Sequence, residues 1–190
     1  MTAQGTTQVQ NSKVNGVEVG QVMKVIGSVQ DKPENAHFQF RLNNRWIDGG
    51  LNRSQVKGYF ADGCEQDTRS EAFVVDADEP AITAGGDSAP NPMEFILHSL
   101  AGCLTSTLVY HAAVQGIEIE SVESSLEGDI DVRGMLGLSD DVRKGYNNVR
   151  VRMRVKSAAS AATLKELAMF SPVYDIVSNS LPVELVLEKA

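Results

Sequence analysis

The sequence predicts an α+β domain, with antiparallel strands in runs and helices grouped around one long apolar helix. Three observations carry this. Val149, Val151, Met153 and Val155 alternate strictly with Arg150, Arg152, Arg154 and Lys156, as in a strand with one face in the core and one in water. Residues 92–116 read as one continuous helix with stop signals at both ends. The strand-like segments come in runs rather than alternating with helices, which separates α+β from a parallel α/β arrangement.

Taken in order, residues 1–12 lack apolar periodicity and are expected to form a loose, disordered tail ahead of a single domain over 13–190. From Gly16 to Asp76 the chain reads as short strands broken by turns. Phe38, Phe40 and Leu42 alternate with Gln39 and Arg41, and Glu71–Asp76 is a second β-type run. Asp31-Lys32-Pro33, Asp48-Gly49-Gly50 and Asp62-Gly63 are the turn signals between them.

Gly85 to Pro92 forms a loop that ends in a helix start. Asn91 can cap, Pro92 suits the first helical position, and Glu94 can reach back to the N–H of the cap residue. Gly116 is the expected residue just past the helix end. The apolar stretch between is long enough to suggest a membrane span. It carries His98, Ser99, Thr105, Ser106, Thr107 and His111, however, which favours a buried central helix.

After Gly116 the period returns to two, with Val122, Leu126 and Ile130 on one face of a strand. Residues 134–146 are the connecting loop to the strand at 149–156. A helix follows from Ala161 to about Phe170. Ser171-Pro172 restarts a short helix to about Ser180, and Leu181–Glu188 reads as a closing strand.

The 190 residues carry 17 Lys+Arg against 25 Asp+Glu, a net charge of −8. That balance disfavours nucleic-acid and anionic-membrane partners, both of which require a positive surface. The row from Arg150 to Lys156 therefore reads as a solvated strand face. The residues from Met1 to Ser12 show neither a basic start nor an apolar run, so a cytoplasmic protein is expected.

Two cysteines are too few for a disulfide scaffold. Cys64 sits in the turn-like stretch Ala61–Glu65 and reads as a solvent-side thiol. Cys103 lies mid-helix between Gly102 and Leu104, where it is either a small buried hydrophobe or a nucleophile. A mid-helix thiol gains little from the helix N-terminus, so a nucleophile there needs a neighbouring cation. His98 and His111 point about 140° and 80° away from the thiol on an ideal helix and read as surface or interface residues. With His37 they form no metal pattern, and GxSxG, GxGxxG and P-loop motifs are absent from the sequence, so no cofactor or metal is expected.

Asn91-Pro92, followed eleven residues after the proline by Cys103 with Leu97, Ala101 and Gly102 between, resembles the central-helix signature of the OsmC/Ohr family. The C-terminal pattern of a helix, Ser171-Pro172-Val173, a helix containing Asn179 and a last strand fits as well, so that the resemblance covers about residues 55–190. It implies an OsmC-like fold, with antiparallel sheets about a long central helix, in an intertwined homodimer with its sites at the subunit interface. Many members are thiol peroxidases that reduce organic hydroperoxides through two cysteines, with an Arg and a Glu beside the reactive one.

Carried over residue by residue, Cys103 falls on the reactive cysteine, and Arg69 is the activating Arg by position. The catalytic Glu of the family directly follows Asn-Pro, where this chain has Met93. Glu94 comes one step later, a rotation of about 100° on a helix. Ser171 stands where the peroxidases have their resolving cysteine. Residues 93–94 and 103 are about 14–15 Å apart along a straight helix, so a carboxylate there reaches the thiol only through a helix break or a second subunit.

The expected function is a one-cysteine peroxidase that reduces a small hydrophobic peroxide at Cys103 and is recycled by an external thiol reductant. The alternative is a dimeric binding or structural protein that has lost the chemistry along with the Glu and resolving Cys positions. Hydrolysis by Cys103 is a third reading, weakened because no base is placed beside it.

Overall fold

The computed structural model describes residues 13–189; the expected tail over 1–12 lies outside them. Packing divides the chain into two compact units, Glu18–Ile96 and Leu97–Ala190, with Val14–Val17 belonging to the second.

A β-hairpin (β1, Lys13–Val14; β2, Val17–Glu18), whose residues Val14–Val17 belong to the second unit, leads in sequence directly into helix α1 of the first unit, Val19–Asp31. This helix corrects the expectation of strands alone between Gly16 and Asp76. Val19, Val22, Met23, Ile26 and Val29 follow the i, i+3, i+4, i+7 spacing of one helix face, although most of them are β-branched and favour strands one at a time. A single turn of 3₁₀ helix at Pro33–Ala36 uses the expected Asp31-Lys32-Pro33 break.

Two three-stranded antiparallel sheets follow. One has the order β4 (Asn43–Asp48), β5 (Leu51–Val56), β8 (Phe73–Ala77); the other has the order β3 (Gln39–Phe40), β6 (Tyr59–Ala61), β7 (Cys64–Gln66). Asp62-Gly63 joins β6 to β7 with φ of 49° and 74°, the paired positive angles of a type I′ hairpin turn. Arg53 and Asp76 are register partners on β5 and β8, and the guanidinium donates two bonds of 2.7 Å to the carboxylate. The alternation at Phe38, Phe40 and Leu42 produces a strand of only two residues, and all three side chains are exposed.

The loop between β8 and the long helix is folded around one carboxylate. Asp78 is 2% exposed. One of its oxygens accepts from the N–H of Glu79 at 2.8 Å and of Gly86 at 3.4 Å, and the other accepts from the N–H and hydroxyl of Ser88 at 3.1 and 2.7 Å. A Cβ on Gly85 would lie 1.9 Å from the Glu79 carbonyl oxygen, and one on Gly86 would lie 2.8 Å from the carboxylate, so both glycines are required by close approach. The Ser88 hydroxyl first, then the backbone N–H groups, hold the Asp78 carboxyl below its ordinary range.

The second unit is built on helix α2, Pro92–Val114, from Leu97 onward. Its end is a full Schellman motif. The Gly116 N–H donates to Ala113 O at 3.0 Å, the Ile117 N–H donates to Ala112 O at 2.8 Å, and Gly116 sits at φ 70°. Leu100, Leu104, Leu108 and Ala112 form its buried stripe. They pack with Leu164, Leu167 and Ala168 of α4 (Ala161–Ala168) and with Val122, Leu126, Val149, Met153 and Val155 of a long hairpin. That hairpin pairs β9 (Ile119–Asp129) with β10 (Asn148–Ser157) antiparallel, placing Leu126 opposite Val151 and Val122 opposite Val155. The connecting loop contains a short helix, α3, at Val132–Met135.

The basic row on β10 lies on the water face as expected. It is matched by acids of β9: Arg150 bonds Glu127 and Asp129, Arg154 reaches Glu123 at 3.8 Å, and Lys156 pairs with Glu120. Helix α5, Pro172–Ser178, follows Ser171. The expected closing strand over 181–188 is corrected: this segment forms no ladder among the described residues, and Val183, Leu185 and Leu187 are more than four-fifths exposed. An alternating pattern becomes a strand only when a partner edge supplies hydrogen bonds.

Replacing Asp78 with Asn should lower the melting temperature by roughly 5 °C near neutral pH, because a buried acceptor set loses its charge and its fit. The folded-state pKa is depressed, so this stabilisation is present above the unfolded carboxyl value of about 4 and is lost as pH falls through the folded one. Melting curves of the wild type and the variant should therefore converge in acid. A constant gap at all pH values would contradict the assignment.

Candidate active site

Helix α2 carries the reactive-thiol candidate. Cys103 is a free thiol, half-buried, one residue before the buried Leu104. This position places it on the flank of the Leu100–Leu104–Leu108 stripe, neither sealed in the core nor fully in solvent. Gly102 beside it is exposed and has nothing within 4 Å of where a Cβ would sit. The Cys103 Sγ lies 3.9 Å from Thr107 Oγ1, one turn further along, and the Ser106 hydroxyl donates to the Cys103 carbonyl at 3.2 Å.

Continuing along that face, Ser106, Thr107, Tyr110 and His111 line an open depression of about 510 Å³ with Phe170 and Pro172. The His111 imidazole stacks on the Phe170 ring, with centroids 4.5 Å apart and planes 14° from parallel. This accounts for a histidine on a largely apolar helix, since the ring serves as a flat packing surface. On the other side of the unit, Leu104, Leu108, Val151, Met153, Val155 and Tyr174 border a mostly apolar groove of about 480 Å³.

Ser171 is 1% exposed, and its hydroxyl accepts from the Tyr174 N–H at 3.1 Å, capping α5 ahead of Pro172. The hydroxyl at the resolving position thus has a structural task of its own. Cys64 is exposed on β7, where its sulfur accepts from the Gln66 side-chain amide at 3.2 Å.

Arg69 belongs to the first unit. Its guanidinium donates to the Lys57 carbonyl at 2.8 Å and lies over the rings of Tyr59 and Phe73, 5.2 and 5.0 Å from their centroids. Such a clamp fixes the position of the guanidinium. Glu94 completes the capping box read from the sequence: its carboxylate accepts from the Asn91 N–H, and the Asn91 side chain accepts from the Glu94 N–H, both at 2.8 Å. The bonds of Arg69 and Glu94 therefore go to partners in their own unit, and the thiol of Cys103 bonds within its own helix. Thr107 is the site residue not singled out from the sequence. The signal was present, since a hydroxyl four residues after a helical cysteine faces the same way.

A family model described as OsmC-like protein matches residues 85–186, more than half of the chain. Among solved structures, an OsmC-like protein from Mycoplasma pneumoniae is similar at a TM-score of 0.54 and 16% identity, over 75% of this chain and 89% of that one. An OsmC-like protein of unknown function from Vibrio cholerae is similar at 0.50 and 13%, over 77% and 95%. An organic hydroperoxide resistance protein from Legionella pneumophila is similar at 0.47 and 17%, over 73% and 88%. No curated protein gives a match.

The capping box makes a simple prediction. Asn91→Ala should cost about 1 kcal/mol in denaturant unfolding, while Glu94→Gln, which can still accept from the Asn91 N–H, should stay near the wild type. A Glu94→Gln loss as large as that of Asn91→Ala would indicate that the charge of Glu94 does more than cap.

Proposed function

This chain belongs to the OsmC-like protein family, and on that premise we propose that it is a one-cysteine thiol peroxidase for small hydrophobic organic hydroperoxides. The carrying observation is the setting of Cys103: a half-buried free thiol on the core helix, its sulfur 3.9 Å from the hydroxyl of Thr107, a residue that lines an open depression.

The Cys103 thiolate attacks the terminal peroxide oxygen. An S–O bond forms as the O–O bond breaks, leaving a sulfenic acid and an alkoxide that takes a proton to become the alcohol. An external thiol then condenses with the sulfenic acid, releasing water and forming a mixed disulfide. A second thiol resolves that disulfide, restoring Cys103 and releasing the oxidised reductant. The reductant must come from outside because Ser171 is a buried cap with no sulfur to offer.

Arg69 is the cation proposed to steady the thiolate and the leaving alkoxide, its guanidinium already held by two rings and a carbonyl. Glu94 is the carboxylate proposed in place of the Glu expected at position 93, and from an unbroken helix it would serve the thiol of a second subunit.

A homodimer in the cytoplasm is the assembly that suits this reading. Ile96 and Tyr110 stand exposed on the long helix, and the apolar segment around Val183–Leu187 has no partner strand among the described residues. Both call for cover that a second subunit supplies. A second reading, a dimeric OsmC-like binding protein without peroxidase chemistry, is favoured by Met93 and Ser171 standing where peroxidases carry Glu and Cys.

One equivalent of cumene hydroperoxide with a sulfenic-acid trap decides between them. The proposal expects an adduct at Cys103 and none at Cys64; an unoxidised Cys103 removes the peroxidase. A Cys64–Cys103 disulfide would instead make Cys64 the resolving thiol. Light scattering at micromolar concentration should give twice the chain mass of 20.5 kDa, and a stable monomer would end the dimer proposal.

A further inference from the structure

We infer that Thr107 is a further catalytic residue of this site, its hydroxyl donating a hydrogen bond to the Cys103 sulfur and sustaining the thiolate form. The inference rests on the reading of Cys103 as the reacting thiol, and it concerns how that thiol becomes reactive in mid-helix.

The geometry begins with the helix. Residues 103 and 107 are one turn apart on the same face, and Sγ and Oγ1 lie 3.9 Å apart, within reach for a sulfur hydrogen bond. A helical threonine ordinarily turns its hydroxyl back to the carbonyl four residues earlier, which here is that of Cys103 itself. The Ser106 hydroxyl already donates to this carbonyl at 3.2 Å. Thr107 Oγ1 instead has the sulfur as its partner.

The surroundings strengthen the assignment. The charged groups on the elements packed against this helix are Lys165 and Glu166 on α4, Asp175 on α5, and the Arg–Glu ladder of the β9–β10 hairpin. In the ladder Arg150, Arg154 and Lys156 pair with acids of β9 while Arg152 stands opposite Ser125, and Asp175 accepts from the Asn179 side chain. Among the described residues the bond partner of Sγ is Thr107. Thr107 also lines the depression with Tyr110, His111 and Phe170, so the hydroxyl that holds the sulfur borders the space open to an incoming peroxide.

The proton balance is simple. The thiol proton leaves to solvent, and the Thr107 hydroxyl keeps its own proton and donates it as a hydrogen bond to S⁻. A bond to the charged acceptor is stronger than one to the neutral thiol, so it favours ionisation. When the sulfur attacks, the S–O bond forms, the O–O bond breaks, and the alkoxide is protonated from solvent while Thr107 stays neutral throughout.

The test measures iodoacetamide labelling of the whole protein from pH 6 to 10, read by peptide mass mapping, with Cys64 as the internal reference. Thr107→Val, nearly the same shape without the donor, should slow labelling of Cys103 about three- to tenfold near pH 7.5. The rates should converge at high pH, and Cys64 should not change. Thr107→Ser should restore most of the rate. A Thr107→Val profile that overlays the wild type overturns the inference. So does an equal loss at every pH, which reports access rather than ionisation, a Thr107→Ser variant as slow as Thr107→Val, or a wild-type Cys103 that labels at no pH. The peroxidase reading fails separately. A Thr107 effect on alkylation without oxidation of Cys103 by cumene hydroperoxide keeps the hydroxyl–thiol coupling and removes the peroxidase.

Discussion

The second unit depends on burying the stripe Leu100–Leu104–Leu108–Ala112 of the long helix. Each leucine taken from water contributes roughly 1.5–3 kcal/mol, and the three lie on consecutive turns, so the helix and its cover form together. That requirement fixes which face of the β9–β10 hairpin turns inward, and therefore why Val149, Met153 and Val155 alternate with charges. It also recruits Leu164, Leu167 and Ala168 from α4. What remains for chemistry is the flank of the same stripe, where Cys103 and Thr107 sit half-buried.

A thiol placed this way is held on a rigid element, capped at its start by Asn91 and Glu94 and closed at its end by Gly116. The cost is electrostatic. In mid-helix the backbone amides are occupied and the end charges are distant, so a thiol there can draw only on side chains for activation. The same unit spends the Ser171 hydroxyl on a helix cap and the His111 ring on a stack with Phe170. Residue types that often mark catalysis are here used in packing, and the polar group bonded to the sulfur is the plain hydroxyl of Thr107 on its own helix.

Much of this was legible in the sequence wherever the deciding interactions are local. The capping box, the Schellman glycine, the Asp62-Gly63 turn, the alternating strand and the serine cap before Pro172 each depend on residues within a few positions of one another. The helix Val19–Asp31 was hidden because Val22, Val25, Ile26 and Val29 prefer strands individually, and their spacing, not their identity, carried the signal. The segment 181–188 has strand composition, but a ladder is a property of two chains of atoms, and its pattern alone could not supply the second. The Asp78 loop left no motif at all, since most of its donors are backbone N–H groups. On the long helix, the capping bonds of Glu94 were readable from spacing. The partners of Arg69 come from Tyr59, Phe73 and the Lys57 carbonyl, whose positions follow from the turns between them.

The Asp78 loop has a consequence for how the chain acquires its fold. Its donors, at Glu79, Gly86 and Ser88, lie within ten residues of the acceptor. Closing a segment of that length takes on the order of 10–100 ns and costs little chain entropy compared with pairing distant strands. The loop ends three residues before Asn91, so this knot of local bonds can close before any leucine of the stripe finds a partner. The contacts of the stripe with the β9–β10 hairpin and α4 join segments far more distant in sequence, and closing them costs correspondingly more chain entropy.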